Sequence, residues 1–171
     1  PFGLLGLIGV VMLNTDIIML GSMRSAEDVG YYAAAQKLIQ ILYMLPTFLA
    51  IAAFPSLART LKSDPVAGAK LLRGAIRVAM FAAVPLTLIG IVFAEPIILS
   101  LFGGAYAQSI ITFRILMATI LIVFPSSIIG NAIFAYDAER SFIFLVGIAV
   151  FGNIFFNLLL IPQFGIEGAA V

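Results

Sequence analysis

The sequence predicts an all-α, polytopic transmembrane helix bundle, and three observations carry that prediction. Apolar residues make up 63% of the 171 and charged residues only 10%, with a mean hydropathy of +1.21; in soluble domains about a quarter of residues are charged. Glycine, proline and clustered charge cut the chain into apolar runs of about 20 residues, which is what a helix rising about 1.5 Å per residue needs to cross a hydrocarbon core of about 30 Å. Third, the few polar residues inside those runs are of a costly kind. Asp16 and Asn14 lie in the first run, and an ionisable side chain at such depth costs roughly 2.5–3.5 kcal/mol on insertion scales, so it normally faces a protein interior or a watery cavity.

Composition also excludes chemistries. There is no Cys and no His, which removes disulfides, thiolate nucleophiles, imidazole bases and most zinc sites, so no cofactor and no metal site is expected. A net charge of +1, without a basic stripe interleaved with aromatics, gives no reason to expect nucleic acid as a partner. The chain opens on Pro1 without a basic leader and stops at Val171 as an apolar stretch begins, the pattern of a piece of a longer protein whose first apolar run is a true span.

The punctuation predicts one transmembrane lobe over 1–171, with about five complete spans and the start of a sixth. The spans run over about 3–23, 31–57, 78–94, 110–135 and 142–161, with another beginning at 166. The connector 59–77 is the charge-rich stretch, carrying Arg59, Lys62, Lys70, Arg73 and Arg77 against the single acid Asp64. Under the positive-inside rule it is cytoplasmic. Asp64 before Pro65 has the form of an N-cap and first helical residue, starting either a short surface helix or one continuous helix with a polar beginning. The third span should end near Glu95-Pro96, since proline disfavours helix at the residue before it. The stretch from Ile97 to Phe102 reads as interfacial, Gly103-Gly104 as a turn, Asp137 to Arg140 as a connector, and Pro162 as the stop of the fifth span. Tyr31, Tyr32 and Tyr106 fall near the outer boundary and are expected as belt anchors.

Asp16-Ile-Ile-Met-Leu-Gly21, Val29-Gly-Tyr-Tyr-Ala-Ala-Ala-Gln-Lys37 and Ala53-Phe-Pro-Ser-Leu-Ala-Arg59 together resemble the opening of one lobe of the oligosaccharide flippases, the Wzx-type exporters of the multidrug/oligosaccharidyl-lipid/polysaccharide (MATE-like) superfamily. Leu101-Phe-Gly-Gly-Ala-Tyr106, Asn153-Ile-Phe-Phe-Asn157 and Ile161-Pro-Gln-Phe-Gly-Ile-Glu-Gly-Ala-Ala170 resemble later segments of the same family. Order and spacing carry the resemblance, since each motif is built of common membrane residues. It implies a two-lobed transporter of which this chain is most of the C-terminal lobe. It also implies a multi-pass protein of a bacterial or archaeal cytoplasmic membrane. The implied function, not enzymatic, is translocation of lipid-linked oligosaccharide on a polyprenyl diphosphate carrier by alternating access, with membrane lipids and the lipid-linked glycan as partners.

Within that frame Lys37 and Arg114 are candidate ligands for a substrate diphosphate, Arg114 through a bidentate clamp. Counting along the helices puts Asp16 and Lys37 each about 10 Å below the outer surface. They are expected either as a pair that releases Lys37 to the substrate or as a permanent structural ion pair, and a snorkelling lysine or arginine is the alternative for each cation. Asp16, with Asn14, is the candidate for coupling to H+ or Na+. Gln36, Gln40 and Asn131 offer amides to sugar hydroxyls, while Asn153 and Asn157, one turn apart, best fit amides that stitch helices together. Pro46, Pro85 and Pro125 lie inside spans as hinges or as fixed kinks. A cation-coupled multidrug exporter and a peptidoglycan lipid-precursor flippase of the same superfamily are the nearest alternatives. From other classes come a membrane-embedded glycosyltransferase or polymerase, disfavoured because the longest connector holds no paired carboxylates, and a structural subunit.

Overall fold

A computed structural model describes residues 14–135 and 139–171, all in helices and short turns. Most of the first predicted span, up to Leu13, and the centre of the connector at Asp137 lie outside the described residues. Residues 14–23 form α1. There follow α2 (Ala26–Leu42), α3 (Met44–Ser63), α4 (Pro65–Val92), α5 (Ala94–Phe102), a 3₁₀ turn (Gly104–Tyr106), α6 (Ser109–Ala135) and α7 (Glu139–Phe164). Among the described residues four stretches are long and apolar enough to cross a membrane: Ala26–Ser63, Pro65–Val92, Ser109–Phe134 and Phe144–Phe164. The protein is thus an all-α polytopic bundle.

Two compact units result. One comprises the chain up to Lys37, Ala94–Leu116 and Ile143–Val171; the other comprises Leu38–Phe93 and Met117–Phe142.

In the second unit, α3 and α4 form an antiparallel hairpin whose turn is the single residue Asp64. Its Oδ1 accepts from Val66 N–H and Ala67 N–H, both at 3.0 Å, and Pro65 fills the first helical position, where a missing N–H is harmless. The helix then runs unbroken to Val92. The basic stretch is therefore the polar start of one continuous helix, not a separate surface helix, because no glycine cap or proline between Val66 and Arg77 ends the helix there. The turn can be that short because Gly68 lies against Leu61: a Cβ there would stand 2.8 Å from the Leu61 Cα. Further along, the buried Ala79, Ala83, Thr87 and Gly90 give α4 a small-residue stripe, which lets helices approach closely where lipid supplies no hydrophobic drive between them. Gly90 receives the Met117 side chain of α6, and Thr87 Oγ1 donates to Met117 O at 3.3 Å. Phe81, 83% exposed, faces outward, as a lipid-facing aromatic should.

Prolines explain two breaks. The helix is interrupted at Tyr43 and at Phe93, each three residues before a proline, Pro46 and Pro96. A proline ring clashes with the carbonyl four residues back and supplies no donor to it. At Pro85 and Pro125 the helices continue. Pro96 thus ends α4 at Val92 and opens α5, so the expected stop near Glu95 falls a few residues early.

In the first unit the end of α7 departs from expectation. Pro162 lies inside the helix, which continues to Phe164. The terminator is Gly165, with φ of 62°, whose N–H bonds to Ile161 O at 2.9 Å; this is the left-handed glycine cap, and proline costs little in a last turn that is ending anyway. Residues 165–169 form turns where a sixth helix was expected to begin. They pack back on α7, with Ile166, Ala169 and Ala170 buried. Gly168 permits this, since a Cβ on it would stand 2.3 Å from Leu160 O.

Candidate functional site

Asp16 is the centre of a polar cluster within the first unit. Its Oδ2 accepts from Tyr32 OH of α2 at 2.9 Å. Its Oδ1 accepts from Asn157 Nδ2 at 2.7 Å and Asn153 Nδ2 at 3.1 Å, both of α7. Asn153 and Asn157 reach one carboxylate oxygen because they are i,i+4 neighbours on one face, and Asn157 Nδ2 also lies 3.3 Å from Asn153 Oδ1. The Tyr32 hydroxyl has a second acceptor, Ala169 O in the terminal turn, at 3.3 Å; with one proton to give, it favours the shorter, charge-assisted bond to Asp16.

The carboxylate is half-buried, while Tyr32 is 1% and Asn157 3% exposed. Three uncharged donors from two helices hold the carboxylate, and among the described residues no basic side chain is bonded to it.

Tyr32 is therefore a buried ligand of the carboxylate and not a belt anchor. The signal was present in the spacing: Tyr32, Ala35 and Ile39 recur at i, i+3 and i+7, the stripe of an inward face, and all three are fully buried. Tyr31 and Tyr106 do associate at the unit's surface, edge to face with ring centroids 5.7 Å apart.

Lys37 does not pair with Asp16. It is exposed and makes no hydrogen bond or ion pair to another described residue. The reason is helical geometry: five residues past Tyr32, it is turned about 140° around α2 from the face that meets Asp16. Arg114 is likewise exposed and free of described partners. Gln36, one turn beyond Tyr32, is 8% exposed and hydrogen-bonded or otherwise engaged, as is the exposed Asn14. Gln40 lines a small 230 Å³ cavity with Tyr43, Met44, Thr47 and Phe48. Asn131 Nδ2 turns back on its own helix, donating to Ser127 O at 2.9 Å.

A second cross-chain contact, invisible to sequence reasoning, braces the cluster. Arg24, just past α1, donates through Nε and Nη2 to Ile161 O at 3.2 and 2.7 Å, and through Nη2 to Pro162 O at 2.9 Å. The guanidinium adds to the Gly165 N–H bond on Ile161 O, supplies a donor to Pro162 O and complements the negative end of the helix dipole. Arg24 and Asp16 thus tie α1 to α7 at two levels.

Fold and cluster together define a multi-pass membrane protein with a carboxylate held inside one helix unit. Residues 2–111 match the polysaccharide biosynthesis protein family, and the chain belongs to it. It is also 29% identical over 161 residues to the probable flippase AglR of Haloferax volcanii, an alignment covering 91% of this chain and 33% of that protein. The chain spans about a third of the length of the curated relative it matches. No solved structure matches it.

Proposed function

We propose that the protein translocates lipid-linked oligosaccharide, a polysaccharide repeat unit on a polyprenyl diphosphate carrier, across the cytoplasmic membrane by alternating access. Family membership and the likeness to a probable flippase support the class of activity. The observation that carries the mechanism is the Asp16 carboxylate held by Tyr32, Asn153 and Asn157 and without a basic partner among the described residues. A permanently paired charge would serve structure alone; an unpaired one at this depth is expensive and is explained by taking up H+ or Na+ during the cycle. Lys37 and Arg114, exposed and uncommitted, are the cations assigned to the substrate diphosphate, and Pro46, at the broken end of α3, is the hinge that the two unbroken proline sites are not.

The test is translocation of a fluorescent lipid-linked oligosaccharide by the full-length protein in liposomes, with Lys37→Ala and Arg114→Ala. Each is expected to slow translocation about tenfold, the worth of one charge-assisted contact. Unchanged rates in both variants would remove these residues from recognition. Failure of the wild-type protein to move the glycan lipid would remove the function.

A further inference from the structure

The cations of α4 go unused by the transport reading. Val66, Lys70, Arg73, Gly74 and Arg77 line a cavity of 480 Å³. Arg77 also lines the next one along, of 520 Å³, with Met80, Phe81, Val84, Pro85 and Leu88. Lys70, Arg73 and Arg77 recur at i, i+3 and i+7, and Phe81, Val84 and Leu88 continue the same stripe at i+11, i+14 and i+18, so the groove is one helix face with a cationic end and an apolar end.

No acid among the described residues answers these charges. Among the described residues none of the three is ion-paired: Arg73 Nε bonds only its own helix at Ala69 O, 3.3 Å away, Lys70 and Arg77 have no described partner, and Asp64 is spent on the helix cap. Like charges spaced three and four apart on a helix repel, and an anion between them relieves that repulsion. Gly74 lies open on the groove floor, where a Cβ would meet nothing within 4 Å. From Arg77 to Leu88 the helix rises about 16 Å, close to half of a 30 Å hydrocarbon core and so to one leaflet.

We propose that this face of α4 is a binding site for one anionic membrane phospholipid, its phosphate seated among Lys70, Arg73 and Arg77 over Gly74 and its acyl chain lying along Phe81, Val84 and Leu88. One-leaflet length favours a phospholipid over a long polyprenyl carrier, and three cations favour a head of net negative charge over a zwitterionic one. The lipid serves as a fixed counter-anion that seats the basic end of α4 at the membrane surface.

Native mass spectrometry of the full-length protein, released from micelles with phosphatidylglycerol or phosphatidylcholine of the same chains, tests it. Phosphatidylglycerol should be retained at least tenfold better. The triple variant Lys70→Gln, Arg73→Gln, Arg77→Gln should lose that retention. Gly74→Phe, which puts a ring into the groove without changing charge, should lose it too, whereas Arg59→Gln with Lys62→Gln, exposed cations outside the groove, should change it less than twofold. Equal retention of both lipids, or full retention by Gly74→Phe, would overturn the site. Displacement of phosphatidylglycerol by equimolar polyprenyl diphosphate would overturn the choice of occupant, independently of any transport result.

Discussion

Asp16 has a structural role and a proposed ionic one, and a pair of substitutions separates them. In Asp16→Ala all three bonds to the carboxylate vanish. Tyr32 keeps Ala169 O at 3.3 Å and Asn157 keeps Asn153 Oδ1 at 3.3 Å, but Asn153 Nδ2 is left with no acceptor. One orphaned donor costs about 1–3 kcal/mol and each weakened bond a fraction of that, while removal of a desolvated charge returns part, leaving a net loss on the order of 2 kcal/mol. In Asp16→Asn the new amide keeps its oxygen toward Asn153 and Asn157 and turns its nitrogen toward Tyr32. The hydroxyl can accept that bond because its proton has Ala169 O to go to, so the cost should stay below about 1 kcal/mol. Thermal unfolding of the full-length protein in detergent should therefore give a clearly lowered midpoint for Asp16→Ala and one near wild type for Asp16→Asn. In proteoliposomes Asp16→Asn should lose the dependence of translocation on a proton or sodium gradient. If Asp16→Asn unfolds as readily as Asp16→Ala, the alternative acceptor for Tyr32 does not operate. If it transports with unaltered gradient dependence, the carboxylate is purely structural.

Two further predictions concern packing. Gly68→Ala puts a methyl 2.6 Å from Leu61 Cδ2 and 2.8 Å from Leu61 Cα; because backbone cannot yield as a side chain does, the α3–α4 hairpin should lose about 1–3 kcal/mol, read as a lowered unfolding midpoint. Arg24→Ala strips the guanidinium from the end of α7 and should destabilise by up to about 2 kcal/mol. Arg24→Lys should recover only part of this, since a point charge cannot reproduce the forked contact to Ile161 and Pro162 carbonyls, and equal stability of the two variants would show that charge alone matters.

Much was legible in the chain because it depends on neighbours in sequence. Asp64 and Pro65 announce a helix start through bonds that reach two and three residues. Asn153 and Asn157 announce a shared face through one helical turn. Apolar runs announce spans, since the bilayer demands them residue by residue. The helix ends were less legible: Pro162 looked like a stop, yet the left-handed Gly165 ends α7, and proline's penalty depends on how much helix remains beyond it.

By itself, then, the sequence determined the class of protein, its all-α polytopic character and the identity of the costly residue, Asp16, since hydropathy and cost at depth are properties of composition and spacing. Only the tertiary structure decided what Asp16 binds. Tyr32 is 16 positions away and the two asparagines 137 and 141, and Lys37, a plausible partner by depth, was excluded by rotation about the axis of α2. Depth in a membrane can be counted along a chain at a fixed rise per residue, whereas which helix faces meet depends on packing between segments whose separation in sequence carries no geometric information.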